Sequence, residues 1–217
     1  MPIYEGTQIK KGYASSNLAG KDLTELMQVM MKKKGIDSTR DEEVDTIRDI
    51  KEKLWFIADK SLDALLKEKS DEDSVKEYYS LPDGTPIQVG YERVKCPELL
   101  LNPTYFKSDK TSLLSVFESS CSKVDQHMKK DLLSNIVLAG GSFGFKGMEK
   151  RLHYEIKKII GDKSLFGDQT KILCPPERTY SAWIGGSIVA AMPKTESWIS
   201  KDDFDEYGRE IVQQRLQ

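Results

Sequence analysis

Cysteine and histidine are scarce in this sequence. Three cysteines (Cys96, Cys121 and Cys174) and two histidines (His127 and His153) occur among 217 residues. The cysteines form no CxxC pair, and the histidines have no partners at metal-ligand spacing, which favours reduced thiols over a disulfide framework or a zinc site. We therefore expect no metal centre built from these side chains.

Long apolar runs and an excess of one charge are also lacking. No apolar run approaches the roughly 20 residues that span a bilayer, and the N-terminus has neither the basic nor the apolar region of a leader peptide. Lys and Arg total 33 against 35 Asp and Glu, so no dominant field attracts the chain to nucleic acid or to an anionic membrane. We expect a cytoplasmic or nuclear protein with no nucleic-acid and no membrane partner.

Helical and strand patterns alternate along the chain, which predicts an α/β or α+β domain. Apolar residues at helical spacing predict one helix within residues 18–35 and another that begins at Thr39. Apolar segments flank the turn residues Pro82, Asp83 and Gly84, which predicts a β-hairpin. The later patterns predict two helices within 112–133, a strand at 135–139, a helix at 148–160, a strand at 171–174, a helix at 180–191 and a closing helix capped by Ser200 and Asp203.

The segment 139–147 (AGGSFGFKG) contains four glycines between a predicted strand and a predicted helix. Glycine lets the backbone approach a ligand closely, and N–H groups beside a helix start can bind a phosphate or a ribose. The spacing matches neither GxxxxGK[ST] nor GxGxxG, which excludes a P-loop and a dinucleotide fingerprint. A tight strand-to-helix turn that binds nothing stays an alternative on this segment alone.

Six blocks of the sequence resemble the C-terminal half of actins and actin-related proteins. They occur in the family's order and at nearly its spacing, and together they extend over essentially all 217 residues. The blocks are residues 18–27 (LAGKDLTELM), 47–58 (IRDIKEKLWFIA), 80–100 (SLPDGTPIQVGYERVKCPELL), 136–148 (IVLAGGSFGFKGM), 175–190 (PPERTYSAWIGGSIVA) and 198–208 (WISKDDFDEYG).

The resemblance implies an α/β fold, namely one lobe of the two-lobed actin-like ATPase fold, with a mixed sheet flanked by helices. Residues 1–19 and 109–180 would form the large-lobe subdomain, and residues 20–108 a mostly helical insertion. Residues 181–217 would form a C-terminal helical segment that in actins packs on a lobe built from the N-terminal half. We expect this segment to be incompletely packed here.

The resemblance also implies the adenosine side of a nucleotide site. Lys51 and Glu52 would contact the adenosine, with Arg48 one turn earlier, and Phe145 stands where the family usually has a tyrosine. Thr179 stands where the family usually has a lysine beside the base, so one cationic contact is lost and affinity should fall. The nucleotide-binding set is Gly20, Arg48, Lys51, Glu52, Gly140, Gly141, Ser142, Phe145 and Thr179. Alternatively, Lys51 and Glu52 form an exposed helical pair beside Lys53.

Catalysis is not expected from this segment by itself. In the family, two aspartate-glycine phosphate hairpins and the glutamine that positions the attacking water lie upstream of the part that matches residues 2–6. Phosphoryl transfer needs a metal, an aligned water and charge neutralisation together. We therefore expect ATP or ADP with Mg²⁺ or Ca²⁺ to bind weakly or not at all to these residues alone, no catalytic residue among them, and no hydrolysis at an actin-like rate.

The C-terminal segment should expose apolar surface if its usual cover is missing, and such a patch favours an interaction surface or an aggregation liability. Either a second chain covers it, or the segment rearranges. Ile188, Val189 and Met192 match the part of actin where amphipathic helices of binding proteins dock. They are alternatively core residues of a helix.

Three functions follow from these patterns. The leading hypothesis is an actin-like cytoskeletal or interaction protein that has the adenosine half of an ATP cleft and acts through actin-type subunits or actin-binding proteins. The alternative is an ATPase whose N-terminal lobe is supplied by a separate partner or was lost from the fragment. A sugar-kinase-like lobe is a weaker third, because blocks 175–190 and 198–208 are actin-like.

Overall fold

The computed structural model describes residues 1–36, 41–59, 61–62, 75–161, 169–192 and 198–215. Helices and strands alternate through these ranges, in agreement with the predicted α/β class. The chain divides into two compact units, Met1–Thr179 and Tyr180–Gln217. The finer division of the first unit into a large-lobe part and an insertion stays a prediction.

The described strands pair in three two-stranded sheets. Two sheets are antiparallel hairpins and the third is parallel, so the strand pairing is mixed. The hairpin around Gly84, whose φ is +85°, confirms the predicted strand-turn-strand segment. The pairs are β1 (Ile3–Tyr4) with β2 (Thr7–Gln8), β3 (Glu77–Ser80) with β4 (Pro86–Val89), and β5 (Ile136–Val137) with the parallel β6 (Ile172–Leu173).

Helices supply most of the first unit, and those predicted from periodicity are confirmed within a few residues. The expected cap of the second helix, Thr39, lies outside the described residues. The helices of this unit are α1 (Gly20–Lys32), α2 (Asp41–Leu54), α3 (Glu92–Glu98), α4 (Leu113–Ser122), α5 (Gln126–Leu133) and α6 (Met148–Ile160). Short 3-10 turns occupy Lys10–Gly12, Pro103–Phe106 and Gly141–Phe143.

The core of the first unit joins α1, α2 and α6. Each helix contributes a stripe of apolar side chains at three- and four-residue spacing, which is the pattern that buries one helix face. The core side chains include Leu23, Met27 and Met31 of α1, Ile47 and Ile50 of α2, and Met148, Leu152 and Ile156 of α6. Trp55 and Phe145 extend this cluster with their ring centroids 5.8 Å apart. Because Phe145 belongs to the glycine segment, the core anchors one end of that segment.

Helix α3 was not predicted, and it contains Pro97. A proline inside a helix has no N–H for the carbonyl four residues earlier. Here that carbonyl, on Arg93, accepts a hydrogen bond from the backbone N–H of Phe56 at 3.3 Å. The Arg93 guanidinium also lies 5.3 Å from the centroid of the Phe56 ring. The segment after α2 thereby satisfies the group that Pro97 leaves open.

The described part of the second unit contains three short helices, α7 (Ser181–Ala191), α8 (Lys201–Tyr207) and α9 (Glu210–Arg215). As predicted, Ser200 caps α8, because its hydroxyl accepts from the Asp203 N–H and Asp203 accepts from the Ser200 N–H. Helix α7 is apolar on all sides and has no buried residue. Trp183 is 75% exposed, so this unit presents a large apolar surface. No helix in the described ranges is long and apolar enough to cross a bilayer.

All three cysteines and both histidines lie among the described residues. Cys96 is buried and Cys121 and Cys174 are half-buried, and all three are free thiols. Burial raises the pKa of the Cys96 thiol well above its ordinary value. His127 is exposed, whereas His153 is half-buried.

Candidate functional site

A cavity of about 420 Å³ lies in the first unit where four separate chain segments meet. Its volume falls in the range of small-molecule sites, roughly 300–1,000 Å³. The segments are the start of α1, the last turn of α2, the glycine turn (residues 140–147, after β5) and Thr179, the last residue of the first unit. The lining residues are Gly20, Lys51, Glu52, Gly141, Ser142, Gly144, Phe145 and Thr179.

Lys51 is a buried cation in the wall of this cavity, with only 9% of its surface exposed. Its ammonium donates to the Thr24 hydroxyl at 3.1 Å and, at 3.4 Å, to the carbonyl of Gly20. In the described part of the chain no carboxylate forms an ion pair with it. Burial lowers the pKa of Lys51 below its ordinary value, and the neighbouring Glu52 opposes this shift while Arg48 adds to it.

Gly20 begins α1 and separates Lys51 from the glycine turn. A Cβ added at Gly20 would meet the Ser142 Oγ at 3.5 Å and the Lys51 Nζ at 3.7 Å. Its carbonyl accepts from Lys51 and, at 3.0 Å, from the Thr24 hydroxyl. A glycine at this position therefore keeps the space between the ammonium and the serine hydroxyl open.

The glycine turn has a backbone that ordinary residues rarely adopt. Gly140 has φ +105° and ψ 158°, a region that is nearly exclusive to glycine. Gly147 has φ +86°, and a Cβ there would lie 2.3 Å from the carbonyl oxygen of Ile57. The Ile57 N–H in turn donates to the Lys146 carbonyl at 2.8 Å. These two glycines are needed for the shape of the turn and for its contact with the segment after α2.

Thr179 closes the cavity opposite the glycines. A Cβ added at Gly141 would meet the Thr179 Cγ2 at 3.9 Å, and one added at Gly144 would meet the Thr179 Oγ1 at 3.9 Å. The neighbouring Arg178 donates to the Phe143 carbonyl at 2.8 Å, although it does not itself line the cavity. The glycines thus leave the threonine side chain in contact range of the turn.

The structure brings seven of the nine predicted nucleotide-binding residues to one cavity. Gly140 instead lines a neighbouring cavity of about 240 Å³, which shares Gly141 and Ser142 with the first. Arg48 lies outside both linings, and its guanidinium donates to the exposed Asp45 carboxylate at 2.6 Å. The contact of Arg48 with a ligand stays a prediction.

The alternative of an exposed Lys51–Glu52 pair is wrong for Lys51, which is buried, whereas Glu52 is exposed. Lys51 follows Ile47 by four residues and precedes Leu54 by three, so helical periodicity places it on the apolar face of α2. That signal was available in the sequence. The sequence analysis missed Gly144 and Arg178. Nothing in the sequence distinguishes Gly144 from the other glycines of the turn, and a side chain that binds backbone carbonyls, such as that of Arg178, has no characteristic spacing.

A model of the actin family matches residues 1–217. The chain belongs to the actin family. The resemblance of the six sequence blocks is thus confirmed, and the mixed helices and small sheets fit an actin-like fold. Actin-family proteins in general bind ATP or ADP together with a divalent cation.

The cavity of this actin-family chain combines one buried cation with open space beside the backbone. Lys51 supplies a buried positive charge, and the glycines leave room for a ligand beside the backbone. Within the described ranges, no group of three or more His, Cys, Asp or Glu side chains lies close enough to hold a metal ion. We therefore assign no residue of this chain to the cation.

The predicted partner-binding residues lie on or next to α7 in the second unit. Ile188, Val189 and Met192 are all exposed, at 56%, 49% and 54%. Met192 follows Val189 by three residues and Ile188 by four, which is the spacing of neighbours along a helix, although Met192 itself is the extended residue that ends α7. The alternative that they are buried core residues of a helix is wrong for this structure.

Proposed function

We propose that the cavity lined by Lys51 and the glycine turn binds ATP or ADP, holding the adenosine part and meeting the negative charge of the phosphates that follow it. The observation that carries the proposal is the buried ammonium of Lys51, whose described partners are a hydroxyl and a carbonyl. Burying a cation without an anionic partner is costly. An anionic ligand that reaches this wall offsets that cost, so the apo site is arranged for a negatively charged occupant.

The remaining lining supports the same ligand. Glu52 is exposed, and its carboxylate can accept from ribose hydroxyls. Gly20, Gly141 and Gly144 present backbone instead of side chain, which leaves space for a flat base or a sugar beside the chain. Phe145 and Thr179 supply the apolar surface, and together these groups form the few polar and many small contacts typical of a ligand site.

Arg48 and Gly140 enter the proposal less directly. Arg48 reaches the nucleotide only after its guanidinium leaves Asp45, to which it donates at 2.6 Å. Gly140 acts through the shape of the turn, since it lies one residue before the lining residue Gly141.

We further propose that the second unit is a protein-binding element, which makes the chain an actin-like cytoskeletal or interaction protein. Helix α7 is apolar on all sides, and a helix of that kind is normally buried. Ile188, Val189 and Met192 would contact actin-type subunits or the amphipathic helix of an actin-binding protein. The corresponding location is the cytoskeleton, in the cytoplasm or the nucleus.

Isothermal titration calorimetry of the 217-residue chain with ATP, with and without Mg²⁺, tests the nucleotide proposal. We expect saturable binding of both ATP and adenosine, with tighter binding of ATP because Lys51 favours an anion. Equal affinity for adenosine and ATP would contradict the role of Lys51. No binding of either would contradict the proposal for this chain.

The same titration with a separately expressed N-terminal actin lobe added distinguishes the ATPase alternative. Phosphate release that appears only in the mixture would favour an enzyme assembled from two polypeptides. For the second unit, co-sedimentation with filamentous actin provides the test, and the double variant Ile188→Asp, Val189→Asp is the control. Undiminished co-sedimentation of that variant would contradict the assignment of α7.

A further inference from the structure

Arg178 connects two segments that are far apart in sequence. Its Nε donates to the Phe143 carbonyl at 2.8 Å, and its Nη2 donates to the Gly144 carbonyl at 3.4 Å. Its Nη1 donates to the Pro175 carbonyl at 3.0 Å. Its own carbonyl accepts from the Gly140 N–H at 2.7 Å. One residue therefore joins the part of the glycine turn from Gly140 to Gly144 to its own loop.

The geometry uses the particular shape of arginine. A guanidinium is planar and presents its donors in a fixed fork, whereas a lysine ammonium is a single point with three donors. Here three different nitrogens serve three different carbonyls. The turn itself contains Gly140 in a sparsely populated backbone region, and such backbone persists only when its surroundings over-determine it. The four hydrogen bonds of Arg178 help to hold the turn in this conformation.

The position of Arg178 also bears on the ligand wall. The next residue, Thr179, lies against Gly141 and Gly144 at the cavity. The Arg178 side chain binds the Phe143 and Gly144 carbonyls, so it holds the neighbouring threonine at a set distance from the glycines that face it. A displacement of about 1 Å at such a wall is enough to weaken a bound ligand substantially.

We propose that Arg178 is a positioning residue of the nucleotide cavity, which holds the glycine turn and Thr179 in register without touching the ligand. This inference rests on the proposed function, since it concerns the same cavity. It adds a residue outside the lining that sets the ligand affinity through backbone hydrogen bonds.

Arg93 offers a matched control. It likewise donates to two backbone carbonyls, those of Leu54 at 2.8 Å and Val75 at 3.0 Å. It is half-buried, as Arg178 is, and it does not line the cavity. Each of Arg178→Ala and Arg93→Ala removes hydrogen bonds to backbone carbonyls, but only the first removes them from the glycine turn. Arg93→Ala also removes the ion pair with Glu77 at 3.5 Å and the contact with the Phe56 ring, which makes it a demanding control for stability.

The experiment compares both variants with the unmodified chain in ATP titrations and in amide hydrogen exchange followed by NMR. For Arg178→Ala we expect ATP affinity to fall about 10-fold or more and exchange of the Gly140, Phe143 and Gly144 amides to accelerate by a similar factor. For Arg93→Ala we expect both quantities to stay within about threefold. An equal loss of affinity in the two variants would overturn the proposal, because it would indicate general destabilisation.

Two further measurements separate positioning from folding. Arg178→Lys keeps the charge and the aliphatic stem but cannot serve three carbonyls, so we expect an affinity between those of the other two forms. Added guanidinium at low concentration should restore part of the ATP affinity of Arg178→Ala and none of that lost in a Lys51 variant. Failure of both the intermediate affinity and the rescue would overturn the positioning role.

A failed positioning role for Arg178 can be told apart from a failed nucleotide assignment. If the unmodified chain binds no ATP, the nucleotide assignment fails, and the exchange data still decide the role of Arg178 in the turn. Faster exchange confined to the glycine turn in Arg178→Ala then supports the positioning role. Unchanged exchange there contradicts it.

Discussion

Arg151 donates to both carboxylate oxygens of Glu98, from Nη1 at 3.0 Å and from Nη2 at 2.7 Å. Both side chains are 3% exposed. The Nε of Arg151 also donates to Glu155 at 2.8 Å. Burial alone would lower the pKa of Arg151, but the hydrogen bonds and charges of the two glutamates raise it above its ordinary value. This pair joins α3 to α6 inside the first unit.

We expect Arg151→Met to lower the free energy of unfolding by about 3–5 kcal/mol, because it leaves the Glu98 carboxylate buried without its cation. The double variant Glu98→Met, Arg151→Met should recover part of this loss, since the Glu98 charge is removed, whereas Glu155, whose side chain is 12% exposed, still loses its bond from Arg151. Urea unfolding of the two variants provides the comparison. A double variant no more stable than the single one would contradict this account of the ion pair.

Substitutions at Gly147 and Gly35 distinguish the energetic cost of a left-handed backbone from the cost of steric overlap. Both have positive φ, +86° and +82°, but a Cβ at Gly147 meets the Ile57 carbonyl at 2.3 Å whereas a Cβ at Gly35 meets none of the described residues within 4 Å. We expect Gly35→Ala to cost roughly 1–2 kcal/mol for the left-handed backbone. Gly147→Ala should cost roughly 1–3 kcal/mol more, because the neighbouring backbone must move. Equal losses in thermal unfolding would show that the overlap relaxes without cost.

Lys51→Met should weaken ATP binding without lowering the stability of the ligand-free chain. Removing the ammonium should lower ATP affinity roughly 10- to 100-fold, as expected for a lost hydrogen bond to a charged group. The ligand-free chain should keep or gain stability, because the pKa of Lys51 is lowered by burial and a neutral side chain avoids that cost. Calorimetry and urea unfolding measure the two quantities.

Lys53→Met is the matched control for this prediction. Lys53 lies two residues later on α2, is exposed, and pairs with Asp49 at 2.7 Å. Exposed pairs contribute little to stability because water screens the charges, so neither ATP affinity nor stability should change much. Equal ATP affinity of the Lys51→Met and Lys53→Met chains would contradict the proposal that the buried Lys51 ammonium contributes to ligand binding.

A substitution at Thr179 should strengthen ATP binding. Thr179→Lys introduces a cation at the cavity wall and should raise ATP affinity roughly three- to tenfold at low salt, because a charged donor strengthens contacts to an anionic ligand. The gain should shrink as salt screens the charge. Thr179→Met has nearly the length of lysine without its charge, and calorimetry should find no gain for it. A comparable gain for methionine would indicate added apolar contact instead.

Local signals in the sequence predicted most of the elements but not the interactions between them. The amphipathic pattern of residues 148–160 and the turn residues around Gly84 each depend on near neighbours, and both predictions were confirmed. Helix α3 was missed because Pro97 argues against a helix, and its open carbonyl is satisfied by Phe56 from another segment.

The candidate site divides in the same way. The resemblance named seven residues that line the cavity, but it did not reveal that Arg48 pairs with Asp45. The contacts of Arg178 with Phe143 and of Arg151 with Glu98 join residues 35 and 53 positions apart. Such pairings are decided by the packed fold, and no spacing rule in one sequence encodes them.

The central claim is that a nucleotide occupies the cavity beside Lys51. The most direct test is an amide NMR titration of the 217-residue chain with ATP. We expect the largest shift changes on Gly20, Glu52, Gly141, Ser142 and Thr179. These changes should require roughly 10- to 100-fold more ATP in Lys51→Met and the usual concentration in Lys53→Met. Shift changes confined to other residues, or identical in both variants, would contradict the central claim.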